Sequence, residues 1–208
     1  MGFEFIVPEN IKSGVYAARL RTNNWEEDAN EDHIPFFVRP RKGTSTAPIV
    51  FLAPTASYLA YANSHTWSNP HTRARLSKLM GVEAAEYPVL PQDKYVVNNR
   101  LHSMYDRHTD NSGVAYSSYL RPIMNMRPKA VSPTLNSGKG AAHQLSADLH
   151  LTDWLEAKGY EFDIVTDEDL HFEGASLLAP YKVVLTGSLS LIHISEPTRR
   201  YAIYYAHF

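Results

Sequence analysis

The sequence predicts an α/β domain built on a parallel sheet, preceded by the closing strands of a β-sandwich domain. Three observations carry that expectation. Ala47–Pro54 is a short unbroken apolar run, the pattern of a parallel strand buried on both faces. Gln144–Lys158 has helical spacing and is followed by two strand patterns, Phe162–Thr166 and Tyr181–Ser188. Upstream, residues 1–42 carry strand-like patterns, too few to bury an adequate core alone.

In chain order, Phe3–Val7, Gly14–Leu20 and Ile34–Val38 read as strands and Thr22–His33 as the loop before the last of them. Three strands cannot close a sandwich, so this piece is expected to be the tail of a β-rich domain whose beginning lies upstream of Met1. The alternative is a three-strand appendage on the main domain. Arg39–Thr46 is a linker by composition. In Gln144–Lys158, Leu145, Leu149, Thr152 and Leu155 fall on one helical face with Trp154 beside them, and Gly159 is placed to end the helix. Thr166–Leu170 can start a short helix. The expected divisions are residues 1–42, the α/β domain at 43–188, and a tail at 189–208. Ligands of such sheets bind outside the carboxyl ends of the strands, here Thr55–Asn63, Asp167–Asp169 and Gly187–Ser188. Pro88–Lys139 has little regular pattern; a stretch that long in a compact domain is functional or disordered, and its tyrosines argue for order.

Composition excludes several classes. A hydrophobic fraction of 44% with 20% charged residues is that of a soluble globular chain. A formal net charge of −2 suggests neither a nucleic-acid binder nor a polybasic membrane binder. With no cysteine, disulfides, thiolate nucleophiles and zinc-thiolate sites are excluded, so any metal must be held by His, Asp, Glu or Tyr. No apolar run is long enough to span a bilayer, and Met1–Pro8 is no secretory signal, which leaves the cytoplasm as the default.

The stretch of densest chemistry is Leu101–Gly113, with His102, Tyr105, Asp106, Arg107, His108 and Asp110 before a turn-forming Asn-Ser-Gly. These groups bind metals and move protons; the competing reading is a polar loop that folds back on itself. His102 with His108, or His65 with His71, lacks the i, i+4 spacing that puts two imidazoles on one helical face, which argues against a histidine zinc site. Ser188 lacks the flanking glycines of a nucleophile elbow, and Asn136–Gly140 lacks phosphate-loop spacing.

The tail breaks the pattern. Leu189–Arg199 resembles the translation of a transposase sequencing adapter, so the natural reading is expected to end at or near Ser188 and the remainder to be a cloning or assembly scar.

Three stretches together resemble the large-subunit family of N,N-dimethylformamidase. They are Pro8–Ala17 with Asp32–Pro40; Pro54–Asn63; and Met104–Asp110 with Ser112–Val114, followed later by Val183–Ser188. The resemblance covers residues 3–188. It implies a glutamine-amidotransferase-like α/β domain, here incomplete, after β-rich domains. It also implies a mononuclear iron, held by two tyrosine phenolates and a glutamate, that hydrolyses small N-substituted formamides with metal-activated water. Carried onto this chain, the tyrosine ligands are Tyr61 and Tyr105, with Tyr58 and Tyr116 as competing choices. Asp106, His108 and Asp110 become catalytic groups that orient ligands or relay protons. The family's glutamate lies in a His-Pro-Glu turn directly after the Val-Leu-Thr-Gly-Ser strand, where residues 189–191 here read Leu-Ser-Leu. The chain by itself is therefore expected to be inactive and, cut after a central strand, to aggregate. Hard oxygen donors suit ferric iron better than zinc. The family suggests a small subunit and homo-oligomerisation as further partners. A reading from another class remains: the 13 tyrosines could line a carbohydrate-binding or scaffold surface with no catalysis.

Overall fold

A computed structural model describes residues 4–21, 31–65, 68, 74–75, 77–79, 81, 91–108, 110, 112–114, 116, 118, 120, 123–124, 126–128, 130–132 and 141–188. The chain forms two compact units, Met1–Ala53 with Leu155–Leu185, and Pro54–Trp154 with Thr186–Phe208. The expected tail at 189–208 lies outside the described residues.

In the first unit, β1 (Gly14–Arg21) and β2 (Glu31–Val38) form an antiparallel pair with Gly14 opposite Val38 and Arg21 opposite Glu31. β3 (Ile49–Ala53) lies between β6 (Phe162–Thr166) and β7 (Val183–Thr186), and β3 runs parallel to β6 with Ile49 opposite Phe162. The unbroken apolar sequence of β3 is explained by burial: Val50, Phe51, Leu52 and Ala53 are all inaccessible. Val50, Leu52 and Val165 pack with Leu170, Leu177, Leu178, Tyr181 and Val184. Alternation along the strands sends Phe51 and Ile164 to the other side, where they too are fully buried. Each such side chain contributes about 1.5–3 kcal/mol.

Polar residues tie the connections to this sheet. Asp163, fully buried in β6, accepts hydrogen bonds from the Thr46 N–H at 2.7 Å, the Thr46 hydroxyl, the Ala47 N–H at 3.3 Å and the Tyr181 hydroxyl at 3.0 Å. The Arg39–Thr46 segment is thereby anchored rather than loose. Arg39 donates to Asp169 at 2.5 Å and Glu173 at 2.7 Å on α4 (Asp167–Glu173). Hydrogen bonding to Glu173 raises the Arg39 pKa, and the same contact lowers that of Glu173. Thr166 caps α4 reciprocally with Asp169 in a capping box. α3 (Leu145–Ala157) ends at Gly159, which has φ 73°; its N–H donates to the Glu156 carbonyl and the Tyr160 N–H to that of Leu155, the bonding of a Schellman cap.

The second unit holds α1 (Thr55–Tyr61), α2 (Pro91–Asn98), the short pair β4 (Val131–Ser132) and β5 (Ala141–Ala142), and the first turns of α3. Tyr58, Ala60, Ala62, Val96 and Leu145 are its buried apolar residues. Among the described residues no helix is long and apolar enough to cross a membrane.

Several expectations are corrected. Residues 4–7 of the expected first strand are not in a strand, and Phe5 and Ile6 are 61% and 89% exposed. Apolar alternation makes a strand only where a neighbour supplies the ladder bonds, and Pro8 offers no N–H. The described β structure before residue 42 is therefore a two-strand pair. β2 begins at Glu31, so the expected loop gives up Glu31–His33 to pair with Leu20, Arg19 and their neighbours. Thr55–Tyr61, read from the sequence only as the segment after a strand, is a helix; its Ala and Leu content favours helix, and Thr55, Ser57, Tyr58 and Ala60 are buried. Pro91–Asn98 is a helix inside the stretch expected to lack regular structure, with Pro91 at its first position and Asp93 in its first turn. The buried face of α3 includes Ser146, Asp148 and Thr152, while Trp154 is 48% exposed.

Candidate metal centre

The candidate residues lie in the second unit, where two backbone bonds place the loop after α2. Leu101 N–H donates to the Val96 carbonyl at 3.0 Å, and Met104 N–H donates to the Ala60 carbonyl at 3.0 Å. The second bond sets Tyr105 beside Tyr61, the last residue of α1. Their rings stack with centroids 4.2 Å apart and planes 24° apart. Burial chiefly, and then a hydrogen bond donated to Tyr105, push the Tyr61 phenol up to about 12. The His143 ring meets Tyr61 edge-on at 5.6 Å, and burial holds that imidazole below its ordinary pKa.

Asp106 is 5% exposed and accepts from the Ser103 N–H at 2.7 Å and the His65 N–H at 3.4 Å, while His65 Nδ1 lies 3.3 Å from its Oδ2. His65 stands against His102 at 5.1 Å, and His102 against His108 at 5.5 Å. Burial, and then the neighbouring His65, hold His102 below its ordinary pKa, with Asp106 opposing. One donor atom from each of His65, His102 and Asp106 falls within 4.8 Å of the others.

The remaining expected residues are dispersed. His108 is exposed, its N–H donating to the Ser112 carbonyl at 2.9 Å in the turn closed by the Arg107–Gly113 bridge. Asp110, also exposed, accepts from the Ser112 N–H at 3.0 Å and hydroxyl at 2.6 Å, contacts that lower its pKa. Tyr58 is buried and donates to Asp148 Oδ2 at 2.5 Å; Tyr116 is 94% exposed. Of the four tyrosines weighed, Tyr61 and Tyr105 are thus the two that meet. Sequence reasoning missed His143 beside Tyr61 and the meeting of His65 with His102; of the two pairs it weighed, His102 and His108 do meet, and His71 lies outside the described residues. No local spacing signals contacts made across two distant loops.

Two apposed phenols offer hard oxygen donors suited to a high-valent ion. The third donor implied by the family falls at positions 189–191, outside the described residues.

The described residues form a mixed α/β chain with a parallel three-strand sheet and, in its second unit, a stacked pair of phenols. Residues 1–188 match the family described as N,N-dimethylformamidase beta subunit-like, C-terminal, and the chain belongs to that family. It is 45% identical over 190 residues to the N,N-dimethylformamidase beta subunit of an Alcaligenes species, and 41% identical over 190 residues to that of Paracoccus aminophilus. Each match covers 89% of this chain and 23% of the relative, so the chain spans less than a quarter of the relatives' length.

Proposed function

We propose that this chain is part of an iron-dependent amidohydrolase that cleaves small N-substituted formamides, with a glutamine-amidotransferase-like α/β domain of which the parallel β6-β3-β7 sheet is a portion. The relatives' names support the reaction class. The observation that carries the site is the stacked pair Tyr61 and Tyr105. Both would hold the iron as phenolates, with a carboxylate as third ligand. When bound, the ion supplies Lewis-acid polarisation of the amide carbonyl and activates water.

The chain's own residues prepare for this. Ligation must remove the Tyr61 proton although its environment favours the neutral phenol. Tyr105, 47% exposed, is open to solvent. Asp106, held by the Ser103 N–H, fixes the backbone one residue from Tyr105, and His108 beside His102 begins a path for protons. Asp110 holds the turn that presents His108. A partner subunit belongs to the same proposal, because the relatives are named as beta subunits; that this partner is small and that the protein homo-oligomerises rest on the family resemblance alone.

The test uses the parent protein in its natural reading frame, assayed for dimethylformamide hydrolysis and iron content. The reading expects one iron per polypeptide, lost with activity in Tyr61→Phe and Tyr105→Phe and kept in Tyr116→Phe. Full iron and activity in both of the first two variants would overturn it.

A further inference from the structure

We propose that His65, His102 and Asp106 form a second metal site, distinct from the phenol pair, that takes a divalent first-row ion of the zinc(II) type. The reading of the phenols gives Asp106 a positioning role and His102 a place on a proton path, but neither it nor the family match assigns these residues a metal. Their three donor atoms already lie within 4.8 Å of one another. A tetrahedral ion with bonds of about 2.0–2.1 Å spaces its donors about 3.3 Å apart, so side-chain rotation alone closes the difference.

The site is built rather than incidental. Asp106 is 5% exposed and Ser103, whose N–H holds it at 2.7 Å, is fully buried. The Asp106 N–H returns to the Ser103 carbonyl at 3.3 Å, making a closed turn. On the other arm Asn63, buried with φ 64°, accepts the Met124 N–H at 2.9 Å, and its carbonyl lies 3.2 Å from His65 Nδ1. The bonds from Leu101 to Val96 and from Met104 to Ala60 tie the 101–106 segment to the ends of both helices. The donor arms are therefore fixed at both ends before any ion arrives.

The chemistry selects the ion. Two imidazoles and one carboxylate are the borderline set favoured by zinc(II) and cobalt(II), whereas two phenols favour a harder ion, so the two groups would sort different metals. Neutral imidazole is the ligating form. The rings of His65 and His108 both stand against that of His102, which gathers imidazoles at one place. His108, with its ring 5.5 Å from that of His102, stands as a fourth donor or leaves that position to water.

The experiment titrates the metal-free parent protein, in its natural reading frame, with cobalt(II) and then zinc(II), following the cobalt visible bands and the melting temperature. The expected result is one equivalent of tetrahedral cobalt displaced by zinc, with a zinc-induced rise in melting temperature. His65→Ala, His102→Gln and Asp106→Asn should each weaken binding by more than about tenfold. Tyr61→Phe and Tyr105→Phe should not change it, which separates this site from the iron reading. Circular dichroism identifies the variants that keep the parent fold, and the double variant Tyr61→Phe/Tyr105→Phe serves as the folded reference. Three results would overturn the proposal: no saturable binding; weak non-stoichiometric uptake, meaning an adventitious ion only; or binding lost in the tyrosine variants and retained in the folded histidine variants.

Discussion

Gly187 offers a sharp test of how the end of β7 is held. A Cβ added there would sit 2.1 Å from Asp148 Oδ2, 2.7 Å from Asp148 Cγ and 2.7 Å from Pro54 Cγ. Asp148 cannot give way freely. It is 4% exposed and receives the Tyr58 hydroxyl at 2.5 Å and the Ser188 N–H at 2.6 Å. Gly187→Ala must therefore displace the carboxylate by roughly 1 Å or more and sacrifice both bonds. Charge-assisted bonds contribute about 1.5–3 kcal/mol each, and overpacking adds about 1–3 kcal/mol. Because these terms overlap, the expected cost is on the order of 3–5 kcal/mol, a large share of a typical ~5–15 kcal/mol stability. Urea denaturation followed by tryptophan fluorescence reads it. In an Asp148→Ala background most of the obstruction is gone, so Gly187→Ala should cost far less and the cycle should show a coupling of about 2 kcal/mol. A Gly187→Ala protein within about 0.5 kcal/mol of the parent, or an equal cost in both backgrounds, would refute the reasoning.

Other expectations follow from the same contacts. Asp163→Ala removes the acceptor for the Thr46 and Ala47 N–H groups and the Tyr181 hydroxyl, and should destabilise the first unit by about 3 kcal/mol or more in a urea melt. Tyr61 in the metal-free chain should resist ionisation until near pH 12 by ultraviolet difference titration, and Tyr105→Phe should bring it down. Since its folded pKa lies above the ordinary value of 10, its contribution to stability is whole below pH 10 and is lost between pH 10 and about 12. Partial solvent exposure holds that contribution to on the order of 1 kcal/mol. The 208-residue chain alone, with Leu-Ser-Leu at 189–191, should show no formamide hydrolysis; measurable turnover by the purified chain would contradict the ligand assignment.

The parts of the fold legible in the sequence are those set by local rules. β3 declares itself because burial on both faces demands an unbroken apolar run, and Gly159 because the residue after a helix must take positive φ. Thr166 and Asp169 sit at the spacing that lets each cap the other. What was illegible depends on partners. Phe5 and Ile6 alternate like a strand but no ladder is formed at residues 4–7. The inner face of α3 was legible in part: Leu145, Thr152 and Leu155 are buried as their spacing indicates, whereas Ser146 and Asp148 occupy buried positions that apolar residues would ordinarily mark. The juxtaposition of Tyr61 with Tyr105 depends on one backbone bond, Met104 to Ala60, between segments far apart in sequence. His65 and His102 also lie far apart in sequence, so their meeting had no local signal, whereas the nearby His102 and His108 do meet. The resemblance to a family singled out both tyrosines, and the structure supplied their contact.

The most direct test of the central claim is resonance Raman spectroscopy of the ferric parent protein, excited in its visible phenolate-to-iron band. Tyrosinate vibrations that are present in the parent, persist in Tyr116→Phe, and are lost with the iron in Tyr61→Phe, in Tyr105→Phe and in the double variant are the predicted result. A spectrum without tyrosinate modes, or one unchanged in the double variant, would contradict it.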